Sequence, residues 1–336
     1  MKTNHLIGQK YNNGCSGKNL LIPLNGNLII RNFKNCYVVN KPNEYCMKKI
    51  GYSIFASLAI LFLVQCNNES KPAETTVSPE KSVTDEWKIG VQLWTFHKFN
   101  FVTAISKADS AGIKFIEAFP GQKLGGDFKD STFDIALSAA GRTKVKELLQ
   151  SKGITLVAFG VVVPQTAEEW KKTFDFAKDM GIQYISAEPL KKHWNYADSL
   201  AGAYGTKVAF HDHPKESPYW HPDSILAAIK NHPNLGSCAD VGHWARNGLD
   251  AVECLRKLEG HIFGLHFKDV KEFNKTEAED VIVGTGILKF PEIFAELKRQ
   301  GFTGMFSIER ENNWNNNVPD VIQTIKFYNQ EVGKLK

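Results

Sequence analysis

The 336-residue chain predicts an α/β fold, a (β/α)8 TIM barrel. Three observations carry this. Eight short β-branched or apolar runs recur about thirty residues apart from Trp87 onward. Amphipathic stretches of helical period lie between them. Several joints repeat one pattern, a glycine stop followed within one or two residues by a new apolar run. Alternating strands and helices imply parallel pairing, and eight units over some 250 residues match a barrel in number and length. A doubly wound open sheet is the alternative, but no GxGxxG follows the first strand.

In chain order the runs are KIGVQLWT (88–95), KFIEAF (114–119), ITLVAFG (154–160), IQYISAE (182–188), KVAFHDH (207–213), LGSCADV (235–241), HIFGLHFKD (261–269) and TGMFSIE (303–309). Between the third and fourth, TAEEWKKTFDFAKDMG (166–181) places Trp170, Phe174 and Ala177 at i, i+4 and i+7 and ends on Gly181. The joints Ala111-Gly112-Ile113, Lys152-Gly153-Ile154, Met180-Gly181-Ile182 and Gln300-Gly301-Phe302 share the stop signal. Gly284-Thr285-Gly286 follows a loop and reads as a turn.

The N-terminal region reads differently. The total charge is +5, yet residues 1–66 carry +7 and residues 67–336 carry −2. A basic total would suggest an acidic partner, but the body is slightly acidic, which points away from nucleic acid. Residues 50–65 form an uncharged, mostly apolar run, preceded by Met47-Lys48-Lys49 and followed by Cys66. This has the form of a lipoprotein signal, with Leu63-Val64-Gln65-Cys66 resembling a lipobox and Cys66 the expected lipidation site. The run is short for a membrane span, which needs about 20 residues. Residues 1–46 are Asn-rich, lack clear helical or strand periodicity, and read as an extension outside the native product, with Met47 the start. Residues 67–86 are polar and read as a tether, leaving 87–336 for the barrel. The expected location is extracytoplasmic, on a lipid anchor. With 43% hydrophobic and 23% charged residues, disorder, collagen and a multi-span membrane protein are excluded. Of the six cysteines only Cys238 and Cys254 follow Cys66, and two make no disulfide framework in the barrel.

In a barrel, chemistry sits at the C-terminal ends of the strands. Those ends carry Glu117, Glu188, His211-Asp212-His213, Asp240 with His243 beyond it, His266 with Lys268 and Asp269, and Glu309. Parallel strands are normally buried on both faces, so an ionisable residue there needs a partner or a metal. Glu188, Asp240, His266 and Glu309 would repel one another without a cation. Three oxygens and one nitrogen suit Mn²⁺, Mg²⁺ or Co²⁺, with Zn²⁺ less favoured.

Six strings in order, Ala187-Glu188-Pro189-Leu190, Phe210-His211-Asp212-His213-Pro214, Ala239-Asp240-Val241-Gly242-His243, Leu265-His266-Phe267-Lys268-Asp269, Gly284-Thr285-Gly286 with Phe290-Pro291, and Ser307-Ile308-Glu309, resemble the xylose-isomerase-like TIM barrels of the sugar phosphate isomerase/epimerase superfamily. The resemblance covers Trp87 to the C-terminus. It implies one divalent metal on Glu188, Asp240, His266 and Glu309, a substrate-contacting His243, and His213 and Lys268 lining the pocket. Lys268 is equally a candidate partner of Asp269.

The chemistry so implied is proton abstraction beside a sugar carbonyl, with Glu188 and Glu309 flanking the substrate as catalytic groups. The outcome is isomerisation or epimerisation. A location outside the cytoplasm disfavours sugar phosphates and abasic-site cleavage and favours free sugars or glycosides. The same enolate chemistry on a 3-keto-glycoside would be a 1,2-lyase, and a non-catalytic sugar-binding lipoprotein is a third reading. A homo-oligomer is compatible with each.

Trp87, Trp94, Phe96 and His97 cluster around the first strand and are candidates for stacking on a sugar face, Trp94 foremost, or for core packing. The Gly-rich loop 121–133 reads as a surface loop or a pocket cover. Trp314, in NNWNNN (312–317), is a candidate substrate wall or loop anchor.

Overall fold

The computed structural model describes three strands within residues 20–39 and the continuous stretch 82–335. The chain divides into two units, Met1–Thr76 and Val77–Lys336. In the first, strands Leu20–Leu24, Asn27–Asn32 and Asn35–Val39 form an antiparallel sheet. These strands form without the regular alternation that marks a strand in sequence. Leu24 pairs with Asn27, and the intervening Asn25-Gly26 is a strong hairpin signal that the missing alternation hid. The signal-type segment 47–66, Cys66 and tether residues 67–81 lie outside the described residues.

The second unit begins earlier than Trp87. Ser82 caps a 3-10 turn, Val83–Glu86, in a capping box with Asp85, so the last five tether residues are folded. Then come the barrel strands: β1 (Lys88–Gln92), β2 (Phe115–Ala118), β3 (Thr155–Val162), β4 (Tyr184–Ala187), β5 (Lys207–His211), β6 (Leu235–Asp240), β7 (Ile262–Phe267) and β8 (Met305–Ile308). Each pairs in parallel with the next, and β8 closes on β1 with Met305 opposite Lys88 and Ile308 opposite Val91.

Helices α1 (Phe101–Ser110), α2 (Ala139–Lys152), α3 (Ala167–Met180), α4 (Trp194–Tyr204), α5 (Pro222–Ile229), α6 (Val241–Arg246), α7 (Ala251–Lys257), α8 (Phe290–Arg299) and α9 (Val318–Gly333) surround the barrel. α3 shows why they form where they do. Thr166 Oγ1 accepts from Glu169 N at 3.1 Å, Trp170, Phe174 and Ala177 are buried along one face, and Gly181 stops the helix at φ 74°. Gly112, Gly153 and Gly301 likewise have positive φ at the expected joints.

Three apolar clusters result among the described residues, the smallest of them Ala245, Val270 and Ala278. One fills the space between helices and strands. Another plugs the barrel with Val157, Ala158, Tyr184, Ala209, Cys238 and Met305. Gly264 makes room for the plug, since a Cβ there would strike the Tyr184 hydroxyl. Strand side chains alternate, so residues two apart share a face. Two positions beyond Phe115, Tyr184, Ala209, Cys238, Gly264 and Met305 stand Glu117, Ser186, His211, Asp240, His266 and Ser307. All six are buried. The inward face therefore changes from apolar plug to polar floor within one step up the barrel.

The aromatic group at the first strand is split. Trp87 precedes β1, at the opposite end from the mouth, where it packs on Phe294, Phe302 and Phe306 and donates to Phe302 O at 2.6 Å. Phe96 is wholly buried. Trp94 and His97 alone of the four are left for the mouth. Loop 121–133 is a small hairpin, Gln122–Lys123 against Thr132–Phe133, anchored by buried Leu124 and Phe133. Gly284 and Gly286 are in a turn whose amides donate to Asp269 at 3.0 and 2.8 Å.

Candidate active site

The floor is built from consecutive strands. His211 and Asp240 are the last residues of β5 and β6, His266 is the penultimate residue of β7, and Glu309 follows β8. Each offers a ligand atom, and these atoms lie within 4.8 Å of one another. His266 Nδ1 is 2.9 Å from His211 Nε2, 3.0 Å from Glu309 Oε2 and 3.8 Å from Asp240 Oδ2. Asp240 Oδ2 accepts no aligned hydrogen bond, and His211 turns its Nε2 toward His266 Nδ1 and Asp240 Oδ2, the latter 3.8 Å away. Two imidazole nitrogens and two carboxylate oxygens converging on one point fit a divalent cation.

Glu188, expected in that quartet, is not part of this group. It follows β4, one strand further round. Its Oε1 accepts from Ser217 Oγ at 2.9 Å and pairs with His213 Nδ1 at 2.6 Å. With His211 and His213 it forms a neighbouring group. His211, the last residue of β5, is the fourth member of the group with Asp240, His266 and Glu309.

A cationic side chain already lies among these carboxylates. Lys268 Nζ lies 3.0 Å from Glu309 Oε2, 3.0 Å from Glu311 Oε2 and 3.2 Å from Asp240 Oδ2. Asp269 is occupied elsewhere, by the amides of Val270, Gly284, Gly286 and Leu288, so it is not the lysine's partner. Burial disfavours the Lys268 ammonium, but Asp240, Glu309 and Glu311 outweigh it and hold the group well above the usual lysine range. Burial also opposes ionisation of Glu309, yet Lys268 and His266 keep its carboxyl well below the usual range. Burial pushes the His243 imidazole down to about 3, against the pull of Asp240, so it is neutral. Asp240 Oδ1 fixes His243 by capping α6, accepting from His243 N at 2.9 Å.

Above the floor opens a cavity of about 330 Å³ lined by Gln92, Trp94, Phe119, His213, His243, Glu309 and Glu311, among others. Trp94 stands exposed at its rim, edge-on to Phe119 (5.1 Å between centroids) and stacked on His97 (4.6 Å). Trp314 meets His97 edge-on at 4.2 Å and extends the aromatic rim.

Residues 105–330 match the family model described as xylose isomerase-like TIM barrel. The chain belongs to this family. A solved structure of an uncharacterized protein from Parabacteroides distasonis ATCC 8503 is 35% identical, with a TM-score of 0.61, over 73% of this chain and 99% of that one. An inosose isomerase from Halalkalibacterium halodurans is 24% identical over 275 residues, covering 72% of this chain and 94% of that enzyme. An L-ribulose-5-phosphate 3-epimerase from Salmonella paratyphi C is 27% identical over 166 residues, 43% of this chain and 56% of that enzyme.

Within this xylose isomerase-like barrel, Asp240, His266 and Glu309 lie together on the floor, and His213, His243 and Trp94 line the cavity. Lys268 lies beneath it, fully buried. Sequence reading missed three residues. His211 was visible at a strand end but was given no role. Glu311 was hidden two residues past the strand-end glutamate. Arg246, 3.2 Å from Glu311, lay on a helix face without any signal.

Proposed function

We propose that this xylose isomerase-like barrel is a divalent-metal-dependent isomerase or epimerase. Its substrates are non-phosphorylated sugars or glycosides, and it abstracts a proton beside a sugar carbonyl. The observation that carries this is that Glu309 and the Glu188-bonded His213 both line one cavity whose floor is the His211, Asp240, His266, Glu309 cluster. Relatives named as an isomerase and an epimerase support an enzyme of that class.

His211, Asp240, His266 and Glu309 would hold the metal. Bound there, it supplies Lewis acidity to a substrate carbonyl. The second imidazole moves the preference away from Mg²⁺ toward Mn²⁺, Co²⁺ or Zn²⁺. Glu309 is kept ionised beside Lys268 and is the proton acceptor nearest the floor. Glu188 reaches the substrate through His213, whose Nδ1 it engages, leaving Nε2 to move a proton at the cavity wall. The catalytic pair is thus Glu309 and the Glu188–His213 couple. The Lys268 ammonium stabilises negative charge developing near Glu309 and Asp240. Trp94 offers a stacking face to the sugar ring.

The cavity lining contains two carboxylates, and the neighbouring Lys268 and Arg246 are already paired with them. An uncharged sugar suits this lining better than a phosphorylated one. Lipid attachment at Cys66 outside the cytoplasm belongs to the same proposal. It is supported by the apolar run 50–65, and loss of palmitate labelling in Cys66→Ser tests it.

The deciding experiment measures deuterium uptake from solvent into a panel of free sugars and 3-keto-glycosides with Mn²⁺, Co²⁺ or Zn²⁺ added. Exchange that disappears in Glu309→Gln supports the reading. No exchange on any substrate would refute it. Product analysis with a 3-keto-glucoside separates epimerisation from 1,2-elimination.

A further inference from the structure

We infer that Glu117 is a positioning residue for His266, fixing which imidazole nitrogen faces the His211–Asp240–Glu309 cluster. The inference rests on the metal reading above and adds a residue from the far side of the barrel. Glu117 lies on β2 and His266 on β7, 149 positions apart in sequence. Both are wholly buried. Glu117 Oε2 is 3.1 Å from His266 Nε2, and Glu117 Oε1 accepts from Ser186 Oγ at 2.6 Å.

A carboxylate buried directly above an apolar plug is costly unless its oxygens are hydrogen-bonded. Here each oxygen has one donor. A carboxylate can only accept, so the hydrogen it meets must sit on Nε2 of the imidazole. In the metal-free chain Nδ1 lies 2.9 Å from His211 Nε2 and 3.0 Å from Glu309 Oε2; when a cation binds there, Nδ1 would be the nitrogen that offers its lone pair, Nε2 keeping its hydrogen on Glu117. A histidine that binds metal through one nitrogen and donates from the other to a carboxylate is oriented and made more basic. Ser186, Glu117 and His266 thus form one chain across the barrel, ending at the cluster. The role was unreadable from sequence because β2 and β7 meet only across the closed interior.

The test titrates Co²⁺ alone into the metal-free full chain, followed by calorimetry and by the visible absorption of the bound ion. Glu117→Gln removes the charge, Glu117→Leu removes the acceptor, and Ser186→Ala frees Glu117 to turn. The expected result is affinity about 10- to 100-fold weaker in Glu117→Gln, with a changed absorption band, and a smaller loss in Ser186→Ala. A purely structural role would lower the melting temperature while leaving the affinity and spectrum of the folded protein unchanged. Wild-type affinity and spectrum in a folded Glu117→Gln overturn the inference even if Glu117→Leu does not fold. If the wild-type chain takes up no Co²⁺, the metal reading itself falls.

Discussion

Lys268 Nζ lies 3.0 Å from Glu309 Oε2, the lysine sealed from solvent and the glutamate facing the cavity. A buried ammonium so placed makes the ionised state of the glutamate the stable one. It also ties the resting charge of the site to a residue that is not among the metal ligands.

Removing that ammonium leaves Asp240, Glu309 and Glu311 unbalanced. Lys268→Met is expected to cost about 3–5 kcal/mol in metal-free protein, the range for breaking a buried ion pair. Added Mn²⁺ or Co²⁺ restores part of the lost positive charge. The drop in melting temperature relative to wild type therefore shrinks when metal is present. Thermal melts with and without metal check this, and an equal drop in both counts against a cation site at Asp240 and Glu309.

Glu309 and Glu188 differ in their access to substrate. Glu309→Gln is expected to lower kcat by about 10²- to 10⁴-fold, the usual worth of a general base. Glu188→Gln acts through His213, so its loss is smaller, and adding it to His213→Asn brings little further loss. Steady-state rates of the single and double variants measure the coupling.

Trp94 contributes an exposed ring at the rim. Trp94→Ala is expected to raise KM about two- to tenfold with little change in kcat, corresponding to about 0.5–1.5 kcal/mol of lost stacking. Quenching of indole fluorescence on adding sugar reports the same contact in the unaltered protein.

Acid stability depends on a cluster remote from the site. Hydrogen bonds from Arg299, then Gln300 and Arg256, hold the buried Glu296 at about 2. A carboxyl lowered on folding contributes stability that is complete above its ordinary range and is lost as pH falls toward 2. The two arginines are half exposed, so solvent screening reduces this contribution to about 1–2 kcal/mol. Urea unfolding between pH 5 and pH 2.5 is expected to show a steeper loss in wild type than in Glu296→Gln.

The barrel was legible because its signals are local. The 166–181 stretch carries its cap, its apolar face and its glycine stop within sixteen residues. The site was legible only at strand ends, where direction alone tells which residues reach the mouth. The same rule places Trp87 away from the mouth, since it precedes β1. The group that holds His211 and not Glu188 shows where such reading stops. Both residues end neighbouring strands, and only the stagger of the closed barrel decides which imidazole or carboxylate reaches Asp240. Glu311 depends likewise on a contact with Lys268 from the neighbouring strand, and Glu117 on one with His266 across the barrel, that no sequence interval records.

The plug of Tyr184, Met305 and their neighbours beneath the polar floor makes the pocket a blind alley. On the proposed function, sugar and product both pass the aromatic rim at Trp94. The spent molecule must therefore vacate before the next can enter, and product inhibition competes directly with substrate. Turnover is then governed as much by departure through that aromatic rim as by the proton transfers behind it.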